Sequence, residues 1–329
     1  MKTLLQYLFT GNSLSEDQAY TALKEIASGS QKDVQVAAFL AVYNMRIPTI
    51  DELTGFRKAM FDLATPVKLK YPNTIDIVGT GGDGKNTFNI STAAAFVCAG
   101  AGAKVVKSGN YGFTSISGAS NIIEYLNIPF ATTSQAINTQ LEQSNISFIH
   151  APVFHTAFKH IAPLRKDLQV KTIFNLLGPL VNVCDPTIAV IGVHNDLVGK
   201  LYKEVLLKTD KQFAVVHALD GYDEISLTGD TKIFTRKSTK LHTPQSFGFK
   251  QISQASLLGG NSIAENAKIF TDILSSKGTK EQNSVVLANA ALAIMLYEQN
   301  SYNAALSMAE ESLYGGKAFN CLNALKNIK

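Results

Sequence analysis

Cysteine is scarce in this chain of 329 residues: Cys98, Cys184 and Cys321 are odd in number, far apart and set in apolar or mixed surroundings. That excludes a disulfide framework and a zinc knuckle, and predicts reduced thiols. Low-complexity sequence is missing as well, and 46% hydrophobic against 17% charged residues excludes a disordered or fibrous chain. No window approaches the ~20 consecutive apolar residues of a membrane helix. Residues 1–10 carry one lysine and a short apolar run, with no small-residue cleavage site before the polar stretch 11–16. A signal peptide is therefore not expected, and a cytoplasmic protein without a membrane partner is. Charge of one sign is also in short supply: 30 basic against 26 acidic side chains leave a formal +4. That balance makes a nucleic-acid partner unexpected.

Nucleophile signatures are absent too. There is no G-x-S-x-G elbow, and no cysteine sits in a recognisable catalytic pattern, so covalent catalysis is not indicated. His150, His155 and His160 recur every five residues, roughly 140° apart around a helix, so they cannot share a face as metal ligands.

What is present falls into two grammars. Residues 1–65 read as helices, with apolar positions at three and four spacing and capping boxes at Ser15 with Gln18 and Thr49 with Glu52, until Pro66 stops the pattern. After Pro72, short β-branched runs at residues 74–78, 103–107, 146–149, 187–193 and 213–217 alternate with helix-length segments, the pattern of parallel strands joined by crossovers. A further strand is predicted near residues 232–234, and helices over 284–298 and 302–312. The expected architecture is a small helical domain, residues 1–70, completed by a segment within 155–185, and a larger α/β domain, residues 71–329, with a mostly parallel central sheet.

The loops that carry chemistry follow those strands. The run from Gly79 to Asn86, GTGGDGKN, turns sharply and presents backbone N–H groups, a cradle suited to phosphate. It satisfies G-x-G-x-x-G, yet about 20 positions on stand Lys104 and Lys107 where a dinucleotide site needs an acid. It nearly satisfies the phosphate-loop pattern of nucleotide hydrolases, but Asn86 replaces the required Ser or Thr. A plain glycine-rich turn is the bland alternative. Asn89, Ser91 and Thr92 open the apolar helix that follows, at its electropositive end. Lys107 ends a strand before a hydroxyl- and glycine-rich loop, residues 108–118, and supplies a point charge for phosphate. Asp223 and Glu224 follow the strand 213–217, again at the sheet edge where ligands of open α/β folds bind. Two carboxylates beside phosphate loops imply a bridging magnesium.

In order, GTGGD at residues 79–83, NIST at 89–92, KSGN at 107–110, S-x-S-G at 115–118, APLR at 162–165, FNLLGPL at 174–180 and GYDEIS at 221–226 resemble the anthranilate phosphoribosyltransferases, enzymes of tryptophan biosynthesis. The NAALA segment at 289–293 fits as well. The resemblance covers nearly the whole chain. It implies the nucleoside phosphorylase and phosphoribosyltransferase type of fold, a homodimer formed through the helical part, and transfer of phosphoribose from phosphoribosyl pyrophosphate (PRPP) to anthranilate with release of pyrophosphate. It further implies that Gly79, Gly82, Asp83, Thr87, Asn89, Ser91, Thr92, Lys107 and Ser115 hold PRPP. Ser91, Asp223 and Glu224 would hold two Mg2+ ions, and Gly79, Asn110 and Arg165 would meet anthranilate.

Three positions depart from the family pattern: Ser108 where histidine is usual, Ala119 where serine is expected, and Lys171 in place of arginine. Ser108 is expected to weaken anthranilate binding by removing an imidazole, so that a Ser108→His variant lowers the Michaelis constant. The serine hydroxyl that Ala119 lacks is expected to cost roughly 0.5 to 1.5 kcal/mol of donor binding. The other readings are a related phosphoribosyltransferase with another acceptor, a pyrimidine nucleoside phosphorylase, which needs no acidic metal pair, and a non-catalytic relative that binds nucleotides or nucleic acid.

Overall fold

A computed structural model describes residues 1–112 and 116–328. The chain divides into two compact units, Met1–Pro66 with Ala151–Asp185, and Val67–His150 with Pro186–Lys329.

The first unit is helical. Its N-terminal part contains helices Lys2–Phe9, Glu16–Ala27, Asp33–Met45 and Ile50–Asp62, and both predicted capping boxes start the helices that follow them. Phe39, Tyr43 and Phe56 meet edge to face at 5.3 to 5.9 Å in its core. Glu52 does more than cap. It is fully buried and accepts from both Arg46 terminal nitrogens, the Tyr43 hydroxyl and the N–H of Leu14. Burial pushes its carboxyl up, and the Arg46 bonds with the two backbone donors outweigh that and hold it below the ordinary glutamate range. Residues 151–185 add the helices Ile161–Leu168 and Ile173–Leu177. There His160 donates to the carbonyl of Ile26 at 2.9 Å, and His155 to that of Val181 at 3.1 Å. Both imidazoles tie backbone, in keeping with a structural role.

The second unit is a seven-stranded sheet of β1 Ile75–Gly79, β2 Val105–Gly109, β3 Ile146–His150, β4 Ile188–Gly192, β5 Gln212–Ala218, β6 Thr231–Thr235 and β7 Thr239–His242. Its order is β3-β2-β1-β4-β5-β6-β7, the first five strands parallel and the last two antiparallel. Strands β3 and β4 are buried at every position, which is why β4 reads as an unbroken apolar run rather than alternation, while β3 carries the buried polar residues Ser147 and His150. The apolar helix Ile90–Gly100 is buried at every position but Ser91 and Gly100 and packs against helices Lys280–Glu298 and Lys317–Lys326. Among the described residues no helix is long and apolar enough to cross a membrane.

Chain order reverses between β1 and β4, which pair in register from Ile75 with Ile188 to Gly79 with Gly192. Ligands of open α/β sheets bind beyond the carboxyl ends of strands at such a reversal. The glycine-rich loop leaves from that point.

Candidate active site

Two glycines close the strands at the reversal, and one residue explains both. A Cβ on Gly79 would run into the Asp223 carboxylate, and a Cβ on Gly192 into the Asp223 backbone carbonyl. Asp223 thus sits directly against the ends of β1 and β4, a place no side chain at 79 or 192 would leave open. Its Oδ2 accepts from the N–H of Gly81 at 2.7 Å. The loop was expected to point its N–H groups at an anionic ligand; this one serves the chain's own acidic turn. Gly81, Gly82, Gly84 and Asn86 all have positive φ, from 47° to 73°, the left-handed backbone that glycine and asparagine tolerate. Bonds from Phe88 N–H to the Leu257 carbonyl and from Gly259 N–H to the Asn86 carbonyl, with a bridge between Thr87 and Leu258, hold the far side of the loop.

The acidic turn meets a third acid. Asp83, Asp223 and Glu224 each bring a carboxylate oxygen within 4.8 Å of the others. Asp83 was read from sequence as a donor contact alone; the two consecutive left-handed glycines before it are what swing it to the acidic turn. Asp83 Oδ2 and Glu224 Oε2 are buried and have no hydrogen-bond partner in the protein. Burial first, then the charge of Asp83, pushes the Asp223 carboxyl up to about 6. Glu224 is raised well above the ordinary glutamate value by burial and by both neighbouring acids. Unpaired buried carboxylate oxygens of this kind suit a hard, oxygen-seeking divalent cation such as magnesium. The turn is pinned from behind by Asn289 of the Lys280–Glu298 helix, which donates to the carbonyl of Ile225 and accepts from its N–H.

Lys107 of β2 is 2% exposed, and its ammonium donates to the Ser108 carbonyl at 3.3 Å. Burial lowers its pKa, while Asp76, Glu224 and Asp223 pull it back up. A lysine charge so placed is available to an anionic ligand without first being stripped of water. Ser108, the next residue, is bonded to β1. Its hydroxyl donates to Asp76 Oδ2 at 2.5 Å and its N–H to Asp76 Oδ1 at 3.0 Å, inside the sheet. Successive side chains leave a strand on opposite faces, so Ser108 lies on the face opposite to Lys107, the face that also carries Asp76 of β1. A histidine at 108 would have to remake this buried bond to Asp76, so the fall in anthranilate KM expected of Ser108→His is to be read beside the melting temperature of the variant.

The remaining predicted residues are distributed as follows. Asn89 is the N-cap of the Ile90–Gly100 helix, and Ser91 and Thr92 lie in its first turn. Asn89 Nδ2 donates to the Ser117 carbonyl at 3.2 Å, while Asn89 Oδ1 and the Ser117 hydroxyl are buried without a partner in the protein. Ser117, not singled out from sequence, thereby joins the polar lining; only its S-x-S-G context gave a signal. Asn110 lies in the exposed turn after β2, its Oδ1 accepting from Tyr111 N–H. Ser115 lies outside the described residues. Arg165 belongs to the helical unit, where its guanidinium lies 5.1 Å from the Phe174 ring centre and donates to Asn175 Oδ1 at 3.4 Å.

The family model described as "Glycosyl transferase family, helical bundle domain" matches residues 2–64, and "Glycosyl transferase family, a/b domain" matches residues 71–319. An anthranilate phosphoribosyltransferase from Flavobacterium johnsoniae is 46% identical over 328 residues, 100% of this chain and 99% of the relative. The anthranilate phosphoribosyltransferase of Saccharomyces cerevisiae in complex with PRPP and Mg superposes with a TM-score of 0.89 at 27% identity, covering 98% of this chain and 97% of that one. The same yeast protein in complex with 4-fluoroanthranilate gives 0.85 at 26% identity, over 98% of this chain and 96% of that one. With identity of this extent and a reversal point lined by buried acids and a buried lysine, the chain belongs to the anthranilate phosphoribosyltransferases of the glycosyl transferase family.

Proposed function

We propose that the edge of the sheet at the end of β1 is where this phosphoribosyltransferase of tryptophan biosynthesis binds its donor, PRPP, for transfer to anthranilate. The observation that carries the reading is the pair of unpartnered buried oxygens on Asp83 and Glu224, beside Asp223 and in the field of Lys107. Gly79, Gly82, Asp83, Thr87, Asn89, Ser91, Thr92, Lys107 and Ser115 hold PRPP in this reading. Asp223, Glu224 and Ser91 hold two magnesium ions, with Asp83 beside them; Gly79, Asn110 and Arg165 meet anthranilate, and the helical unit forms the homodimer.

The bond from the anomeric carbon to pyrophosphate breaks with both electrons leaving on the pyrophosphate, the anthranilate amine forms the new bond to that carbon, and the proton the amine then gives up is taken by the released pyrophosphate or by water. Negative charge grows on the leaving group, so backbone N–H dipoles at the helix start and the buried Lys107 ammonium lower the barrier without moving. Magnesium, when bound, supplies further positive charge to the same oxygens. The amine is neutral near pH 7, so the acceptor residues need only align it. The test is loss of anthranilate fluorescence on addition of PRPP and magnesium. Turnover of a pyrimidine nucleoside with inorganic phosphate and no divalent cation, in place of anthranilate consumption, overturns the reading.

A pH dependence follows from the raised carboxyls. Asp223 and Glu224 keep their protons to higher pH in the folded chain than in the unfolded one. Their contribution to stability therefore falls as pH rises from the ordinary carboxylate range. For Asp223, raised from 3.8 to about 6, the cost is fully present above pH 6 and on the order of 3 kcal/mol. Ionised carboxylates that hold a cation recover it. The expected result is a magnesium-dependent rise in melting temperature that is large near pH ~8 and shrinks as pH falls through about 6. An equal rise near pH ~5, read by calorimetry, contradicts the assignment of these acids.

A further inference from the structure

We propose that His150 is a positioning residue for the acceptor side of the reaction, locking the turn that carries Asn110; this rests on the reading of Asn110 as an anthranilate contact. His150 ends β3 and lies in register with Gly109 of β2, one residue before Asn110. Its ring is stacked on Phe130, with centres 4.7 Å apart and planes 20° apart. Tyr111 meets the same ring edge to face at 4.9 Å. The Nδ1 atom is 2.9 Å from the Ser120 hydroxyl.

These contacts close a ring through the turn. The N–H of Ser120 donates to the Asn110 carbonyl at 3.2 Å, the N–H of Tyr111 to Asn110 Oδ1 at 2.8 Å, and Tyr111 returns to the His150 ring. Gly109 lets this happen at short range: a Cβ there would lie 3.2 Å from the Ala119 Cβ and 3.7 Å from the Ser120 hydroxyl. Outside the ring, the Tyr111 hydroxyl donates to Glu124 at 3.1 Å. An aliphatic side chain at 150 would fill the volume between Phe130 and Tyr111, but it could not bond Ser120, which is itself buried. Burial holds the imidazole pKa below its ordinary value, the Glu124 charge opposing only in part, so the ring is neutral near pH 7. None of the contacts named here touches Asp83, Asp223, Glu224 or Lys107, and each of them closes on the turn at Asn110, so the ring of contacts acts first on the acceptor turn.

The experiment is steady-state kinetics on the full chain with PRPP, magnesium and anthranilate, for His150→Phe, Ser120→Ala and the double variant. His150→Phe keeps an aromatic ring in the stack and loses the bond to Ser120. Ser120→Ala removes the other end of that bond. Each single variant is expected to raise the anthranilate KM about tenfold, the worth of one buried hydrogen bond, with the PRPP KM within about twofold of wild type. The double variant should be no worse than either single, because both remove one interaction. An anthranilate KM unchanged in both singles, a parallel rise in both KM values, or additive effects overturns the proposal. If His150→Phe fails to fold, Ser120→Ala alone decides, since it deletes one oxygen atom. A wild-type chain that ignores anthranilate removes the functional reading itself and this proposal with it.

Discussion

Glutamine at position 224 is expected to abolish useful turnover and at the same time to make the protein harder to melt. Asp223 is buried and Glu224 half-buried beside Asp83, and their pKa values are raised by burial first and then by the neighbouring acidic charges. The amide has nearly the same shape and no charge, so Glu224→Gln removes that repulsion. At alkaline pH, where the glutamate must ionise, the variant should gain about 1 to 2 kcal/mol, or several degrees in melting temperature without divalent cation. Turnover should fall by about 10² to 10³, the usual loss when a placed electrostatic group is deleted, and the magnesium-dependent rise in melting temperature should shrink. The double replacement of Asp223 and Glu224 by alanine should lose turnover with the fold intact. Ordinary activity in a Glu224→Gln variant of lowered melting temperature would show that these acids serve the fold and not the reaction.

Gly192→Ala is expected to have the largest effect on stability of any single methyl group added to the sheet edge. The added carbon would overlap the backbone of Asp223, which cannot rotate away as a side chain can. Either β4 or the acidic turn must shift, at a cost of about 3 kcal/mol or more, the upper end of what overpacking usually costs. Because Asn289 anchors the turn at Ile225 on its other side, the strain has little room to spread. Urea unfolding should report the loss, and anthranilate turnover in the residual folded protein should need far more magnesium than wild type. Gly79→Ala meets the carboxylate instead of the backbone, so its main effect should be on cation dependence. An alanine at 192 that leaves the unfolding midpoint unchanged would contradict the close approach of Asp223 to β4.

Much of this arrangement is legible in the chain, and the exceptions have physical reasons. The five parallel strands stand out because strands buried on both faces carry continuous β-branched runs; their ends are displaced by one or two residues, as for β2, read at 103–107 and found at Val105–Gly109. Strand β7 is not legible: Thr239–His242 is exposed at three of four positions, so no apolar pattern marks it. The helices Ile263–Leu274 and Lys317–Lys326 were not singled out either, although Ser262 caps the first of them. At the site, the glycine loop, the lysine and the acidic pair each declare themselves through strand-end position. The partnership of Asp83 with the acidic turn does not, because it joins residues 140 or more positions apart through the backbone turn of Gly81 and Gly82. Ser108 and His150 are the same lesson at one residue's distance: which face of a strand a side chain takes decides whom it meets.

Residues 151–185 carry a consequence for how the protein is made. A ribosome that has released Met1–Pro66 has issued only part of the helical unit, for the N–H of Thr65 bonds the carbonyl of Phe154, Ile26 accepts from His160, and Arg57 donates to the carbonyl of Leu180. The first-born segment must wait through the synthesis of β1, β2 and β3 before its missing pieces emerge, so the nascent chain interleaves the two units instead of finishing one before the other.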